Sequence, residues 1–172
     1  LLFGDPQPRN NKEVDYISHD VVEELIGDES AFGVTLSHTA FDNLSTFKTL
    51  NQSIALIGIP WYNVIGNHDI NLDAKSRTEI NETFEETYGP SYYSFDYGQV
   101  HFVVLDNIDW ASPSEKNPRY RYEPRFGKQQ LEFLKKDLSL IPKSQMLVLL
   151  MHVPIISVKD KSDFFELIKD RP

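Results

Sequence analysis

The sequence predicts an α/β fold that opens with a strand–helix–strand–helix–strand run. Three observations predict it. Short apolar runs at 1–3, 31–36, 61–65 and 146–151 have strand length. Between the first three, apolar residues recur at helical spacing. Each of the four runs ends in a turn bearing a side chain able to bind metal or move a proton. The βαβαβ order implies right-handed crossovers and a largely parallel sheet.

Leu1-Leu2-Phe3 forms the first run and ends in Gly4-Asp5-Pro6-Gln7. Val14, Ile17, Val21, Val22 and Leu25 then predict a helix stopped by Gly27. The run 31–36 ends in Ser37-His38. Leu44, Phe47, Leu50, Ile54 and Ile57 predict a second helix, stopped by Gly58. The run 61–65 leads through Gly66 into Asn67-His68-Asp69. Residues 76–88 read as a charged surface helix. Two β-rich runs, 92–97 and 100–106, flank Gly98-Gln99 and predict a tight hairpin.

The segment 110–126 is polar, contains Pro, and carries Arg119, Tyr120, Arg121, Tyr122 and Arg125. A solvated surface loop is the favoured reading, ahead of a loop whose arginines meet a phosphate. Leu131, Leu134 and Leu138 predict one face of a helix at 128–138. The run 146–151 ends in His152-Val153-Pro154, and a last helix covers about 162–169. No internal repeat or low-complexity tract is visible. All of 1–172 is expected to form one domain.

Composition narrows the function classes. The chain is 40% hydrophobic and 25% charged, as ordinary globular proteins are. Its 17 basic and 26 acidic residues give a net charge of −9, with no basic cluster. That argues against a nucleic-acid partner, which needs concentrated Lys and Arg. A local cluster of cations could still draw an anionic substrate. With no Cys, thiolate zinc sites, disulfides and cysteine nucleophiles are excluded. No run approaches the roughly 18 apolar residues of a membrane span, and no signal peptide is present in the chain.

The strand-end residues carry the chemistry. The amide of Asn67 can coordinate a metal, the imidazole of His68 can coordinate or transfer a proton, and Asp69 can orient that imidazole. The competing reading of the triplet is a polar turn capping the next helix. Asp5 and His152 are candidate metal ligands; a turn carboxylate and a buried structural histidine are the alternatives. His38 and Gln7 are weaker candidates. His19 reads as a surface residue and His101 as structural.

Gly4-Asp5-Pro6-Gln7, Gly66-Asn67-His68-Asp69 and Met151-His152-Val153-Pro154 together resemble the calcineurin-like metallophosphoesterases. The stretch from Gly58 to Asp109 looks particularly like the bacterial multidomain branch, whose catalytic domain is flanked by others. The resemblance covers essentially the whole chain. It implies a four-layer αββα sandwich with mixed sheets and metals at the strand carboxyl ends. It also implies a two-metal hydrolysis of a phosphate monoester or diester, with a phosphorylated small molecule or a phosphodiester as partner. Asp5 and His152 would each serve a different metal, Zn, Mn, Fe or similar. Asn67 would sit on the second, while His68 would protonate the leaving oxygen and Asp69 would orient it.

Three departures qualify that implication. Ser37-His38 stands where the family has Gly-Asp, and the family's Asp bridges both metals. A neutral imidazole has one lone pair and cannot bridge in that way. Gln7 stands where a His is frequent. The family's closing Gly-His-x-His is absent, so the domain is expected to be truncated, and its first strand to be cut as well. One metal or none is therefore expected here. A catalytically impaired domain, binding one metal or a phosphate-bearing ligand, is the alternative. A purely structural module that binds no metal is a third reading. The resemblance leaves an extracytoplasmic location open.

Overall fold

The computed structural model describes residues 1–111 and 122–171. These fold as two compact units, 1–89 and 90–172. Arg119, Tyr120 and Arg121 of the polar loop lie outside the described residues.

The first unit is the βαβαβ run. Strands β1 (Leu2–Phe3), β2 (Gly33–Leu36) and β3 (Trp61–Val64) form a parallel sheet in that order. Because the strands are parallel, the turns that follow all three leave the sheet at one edge. Helix α1 (Asn11–Ile17) is capped by the Asn10 carboxamide, which accepts from the Glu13 N–H. A π-helical turn, Ser18–Val22, joins it to α2 (Glu23–Leu25). Helix α3 (Phe47–Ile54) continues into a short 3₁₀ turn that Gly58 ends at φ +85°. Val14, Val22, Leu50, Ile54 and Ile57 pack as one buried cluster, with Phe3, Ile17, Leu25 and Trp61 against it.

Two expectations are corrected here. The helical face was read as continuous through Val21, but Val21 is exposed. The π turn inserts a residue and shifts the phase, so Val22 takes the inward position. The helix expected over 76–88 is two pieces, α4 (Arg77–Ile80) and α5 (Glu82–Tyr88), parted at Asn81. Ile80 and Phe84 face inward, and the Phe84 ring meets Phe47 and Tyr88.

The second unit holds a mixed sheet. Strands β4 (Tyr93–Tyr97) and β5 (Val100–Val104) form the expected hairpin, and β8 (Met146–Leu150) pairs parallel to β5. A small second sheet pairs β6 (Ile108–Trp110) with β7 (Tyr122–Pro124) antiparallel. The polar segment 110–126 is thus not simply a surface loop. Helix α6 (Gly127–Ser139) buries Gln130, Leu134 and Leu138. Its first amides, Phe126 N and Gly127 N, donate to the Asp160 carboxylate just before α7 (Lys161–Ile168). Inside the unit, Phe126 stacks on Phe164.

His101 sits in this unit and is structural, as its place in the hairpin suggested. Its Nδ1 lies 2.8 Å from Asp96 Oδ1 and its Nε2 2.8 Å from Asp137 Oδ2. Burial alone would lower its pKa, but hydrogen bonding and charge from Asp137 and Asp96 outweigh burial and raise it.

A candidate functional site at the strand edge

The turns after β1, β2 and β3 bring Asp5, Gln7, His38, Asn67 and His68 together. His38 is the hub. Its Nδ1 lies 2.8 Å from Asp5 Oδ1 and within hydrogen-bonding reach of the Gln7 carboxamide. Its Nε2 lies 3.1 Å from Asn67 Oδ1. The backbone adds a further tie, as Gln7 N donates to the His38 carbonyl at 2.9 Å.

This edge is conformationally strained. Asp5, Gln7, Ser37, His38 and Asp42 all have positive φ, between 48° and 76°, and are the non-glycine residues that do so among those described. Each such residue costs on the order of 1–3 kcal/mol, and such strain clusters at functional sites. Gly66 is needed for a different reason. A Cβ there would come within 2.2 Å of Ser37 Oγ, so only glycine lets the β3 turn approach the β2 turn this closely.

His68 lies beside the hub, its ring 4.8 Å from that of His38. Its Nδ1 lies 2.7 Å from Asp42 Oδ1, and the Phe41 ring stacks on it at 4.3 Å and 17°. The Arg9 guanidinium sits 4.8 Å from the Phe41 ring centre. Asp42, Phe41 and Arg9 were missed by sequence reasoning. The signal that could have found Asp42 is a carboxylate in a turn four residues after His38.

Asp69 is the main correction. It was expected to orient His68, but it turns into the interior and is fully buried. Its Oδ1 accepts from Ala40 N at 2.8 Å and its Oδ2 from Gly66 N at 2.9 Å. Burial pushes its pKa up to about 7, against the pull of N–H groups from Ala40, Gly66, Thr39 and His38. Asp69 ties the β2 turn to the β3 turn, and the carboxylate paired with His68 is that of Asp42. In the second unit, His152 is half-buried just past β8.

The donors can be tested against a metal. Asp5 oxygen, the Gln7 carboxamide and His38 Nδ1 gather at one point, a hard carboxylate, an amide and an imidazole. That set suits one Mn-, Fe- or Zn-type ion. Position 38 carries an imidazole, which has one free lone pair when neutral. Among the described residues no three His, Cys, Asp or Glu side chains form a metal-holding group, so any ion here relies on amides.

Comparison with solved structures fixes the fold. A dimetal phosphatase from Danio rerio matches 99% of this chain and 76% of its own at TM-score 0.69 and 15% identity. The purple acid phosphatase PPD1 from yellow lupin (Lupinus luteus) seeds matches 90% of this chain and 30% of its own at TM-score 0.61 and 16% identity. In sequence, human serine/threonine-protein phosphatase CPPED1 is 31% identical over 114 residues, 62% of this chain and 32% of the relative. The Mus musculus protein of that name is 29% identical over 130 residues, 71% of this chain and 36% of the relative. The chain is thus similar in sequence to these phosphatases and shares a fold with the two solved ones. No family model matches it. It spans about a third of the length of the curated relatives it matches. Its α/β fold, with mixed sheets, is that of the metallophosphoesterases.

Proposed function

We propose that the chain is part of a metal-dependent phosphoesterase domain that hydrolyses a phosphate monoester or diester. The observation that carries the reading is the His68–Asp42 pair, set beside the His38 hub. Asp42 fixes the Nδ1 proton of His68, which leaves Nε2 to hold a proton for the departing oxygen. Phe41 keeps the imidazole plane in place by stacking on it. Asp5, Gln7 and His38 would hold a divalent ion, which when bound offsets phosphate charge and acidifies water. Asn67, whose Oδ1 lies 3.1 Å from His38 Nε2, is proposed as a metal ligand beside them. Separately, within the second unit, His152 is proposed as a metal ligand on the strength of its place in the turn past β8, and the chain as one domain with flanking domains in the longer protein.

The test is hydrolysis of an aryl phosphate with Mn²⁺ and with chelator. Turnover that chelation abolishes supports the reading, and turnover indifferent to chelation counts against it.

A second reading is favoured by one observation. Both ring nitrogens of His38 are already engaged, one by Asp5 and the other by Asn67. A domain so tied would keep a phosphate-bearing ligand without cleaving it. Phosphate binding in the absence of any turnover would select this reading.

A further inference from the structure

We propose that Arg9 is a specificity residue that selects phosphate esters bearing a second anionic group on the leaving side; this rests on the reading of His68 as proton donor to the leaving oxygen. The turn after β1 runs on from Gln7 into Pro8 and Arg9. Three hydrogen bonds fix its backbone there. Phe41 N donates to the Pro8 carbonyl at 3.2 Å, Asn43 Nδ2 donates to the Arg9 carbonyl at 2.9 Å, and Arg9 N donates to Glu13 Oε2 at 2.7 Å. Two of the three come from the segment 41–43, which also supplies Asp42, the partner of His68.

The side chain is held to the same segment. The guanidinium carbon stands over the Phe41 ring, 4.8 Å from its centre, and the Phe41 ring stacks on His68. The quadrupole of the ring attracts the cation and keeps it in place. The ion pair with Glu13 is loose, 4.0 Å between Nη1 and Oε1, and the Arg9 side chain is 66% exposed. Such an exposed pair contributes little, so an incoming anion can displace it.

Position decides which part of a substrate Arg9 meets. His68 gives its proton to the departing oxygen, so what lies past His68 faces the leaving group. Phe41 touches His68 and Arg9 touches Phe41, away from the donors Asp5, Gln7 and His38. Charge argues the same way. The first unit, 1–89, carries five basic and fifteen acidic residues, a balance that repels an anionic leaving group. A guanidinium beside His68 offsets that repulsion locally, and its fork of N–H groups matches the paired oxygens of a carboxylate or a phosphate. The class selected is a phosphate ester whose alcohol or phenol bears one of these groups.

The experiment compares phenyl phosphate, 3-carboxyphenyl phosphate and 1,3-phenylene bisphosphate in the full 172-residue chain with Mn²⁺. Phosphate release and calorimetric affinity are both measured. Wild type should favour an anionic ester over phenyl phosphate about tenfold in kcat/KM, through KM, the size of one charge-assisted contact. Which of the two is favoured tells a carboxylate from a second phosphate. Arg9→Gln should remove the preference. Glu13→Gln should raise it, because it frees the guanidinium and still accepts from Arg9 N. A wild type without preference overturns the proposal. So does an equal loss on all three esters in Arg9→Gln, which would mean that Arg9 serves only to pack Phe41. If no ester is hydrolysed, the phosphoesterase reading fails and the affinities alone decide. A preference in affinity that Arg9→Gln removes then supports the assignment, and equal affinities, or none, overturn it.

Discussion

His68 and Asp42 hold each other twice: Nδ1 lies 2.7 Å from Oδ1, and the Asp42 N–H donates to the His68 carbonyl at 3.2 Å. Asp42 has φ +62°, a region that Asn also tolerates. Asp42→Asn should therefore fold, keep its metal content and lose the carboxylate. Its kcat on an aryl phosphate should fall about tenfold with KM unchanged, as when an outer partner of a functional histidine is removed. An unchanged kcat would assign His68 no help from Asp42.

Asp69 should matter to stability. Asp69→Ala leaves the Ala40 and Gly66 N–H groups buried without acceptors, at about 1–3 kcal/mol each. Urea unfolding should show a loss of about 3 kcal/mol. Asp69→Asn, which keeps one acceptor oxygen, should lose less.

His101 makes the stability of the second unit depend on pH. Its folded pKa is raised above the usual 6.5. The protonated ring is thus favoured by folding, and that stabilisation is complete below the unfolded pKa. It is lost as pH rises through the folded pKa. Urea midpoints should fall as pH rises above about 6.5, and the difference between wild type and Asp137→Asn should shrink over the same range. A difference that is constant with pH would contradict this.

Position 38 should limit metal content. The wild-type chain is expected to bind at most one Mn²⁺ per molecule by elemental analysis after dialysis. His38→Asp supplies a two-oxygen bridging group and should raise that stoichiometry. No gain would mean that position 38 is not where a second ion is lost.

The sequence made the strand ends legible because each apolar run stops at a polar turn, and parallel strands deliver such turns to one edge. Asp5, His38 and Asn67 meet for that reason. The partner of His68 was not legible. Asp69 is its neighbour in sequence, but successive side chains of a turn diverge, and 69 turns inward while Asp42 arrives from the preceding turn. Val21 misled because a 3.6-residue period cannot register a π turn. β6 and β7 are three-residue strands, too short to show a pattern. The positive φ values at Gln7 and Ser37 leave no mark in residue types that rarely adopt them.

On the proposed reading, His68 transfers a proton in phosphoester hydrolysis and does not hold metal. The direct measurement is turnover of an aryl phosphate by wild type and His68→Ala, with bound Mn²⁺ counted in the same samples. The kcat of His68→Ala should fall about 10²–10⁴-fold, the usual range for removing a general acid, at unchanged metal content. Equal turnover in the two proteins, or loss of the metal along with the activity, would contradict it.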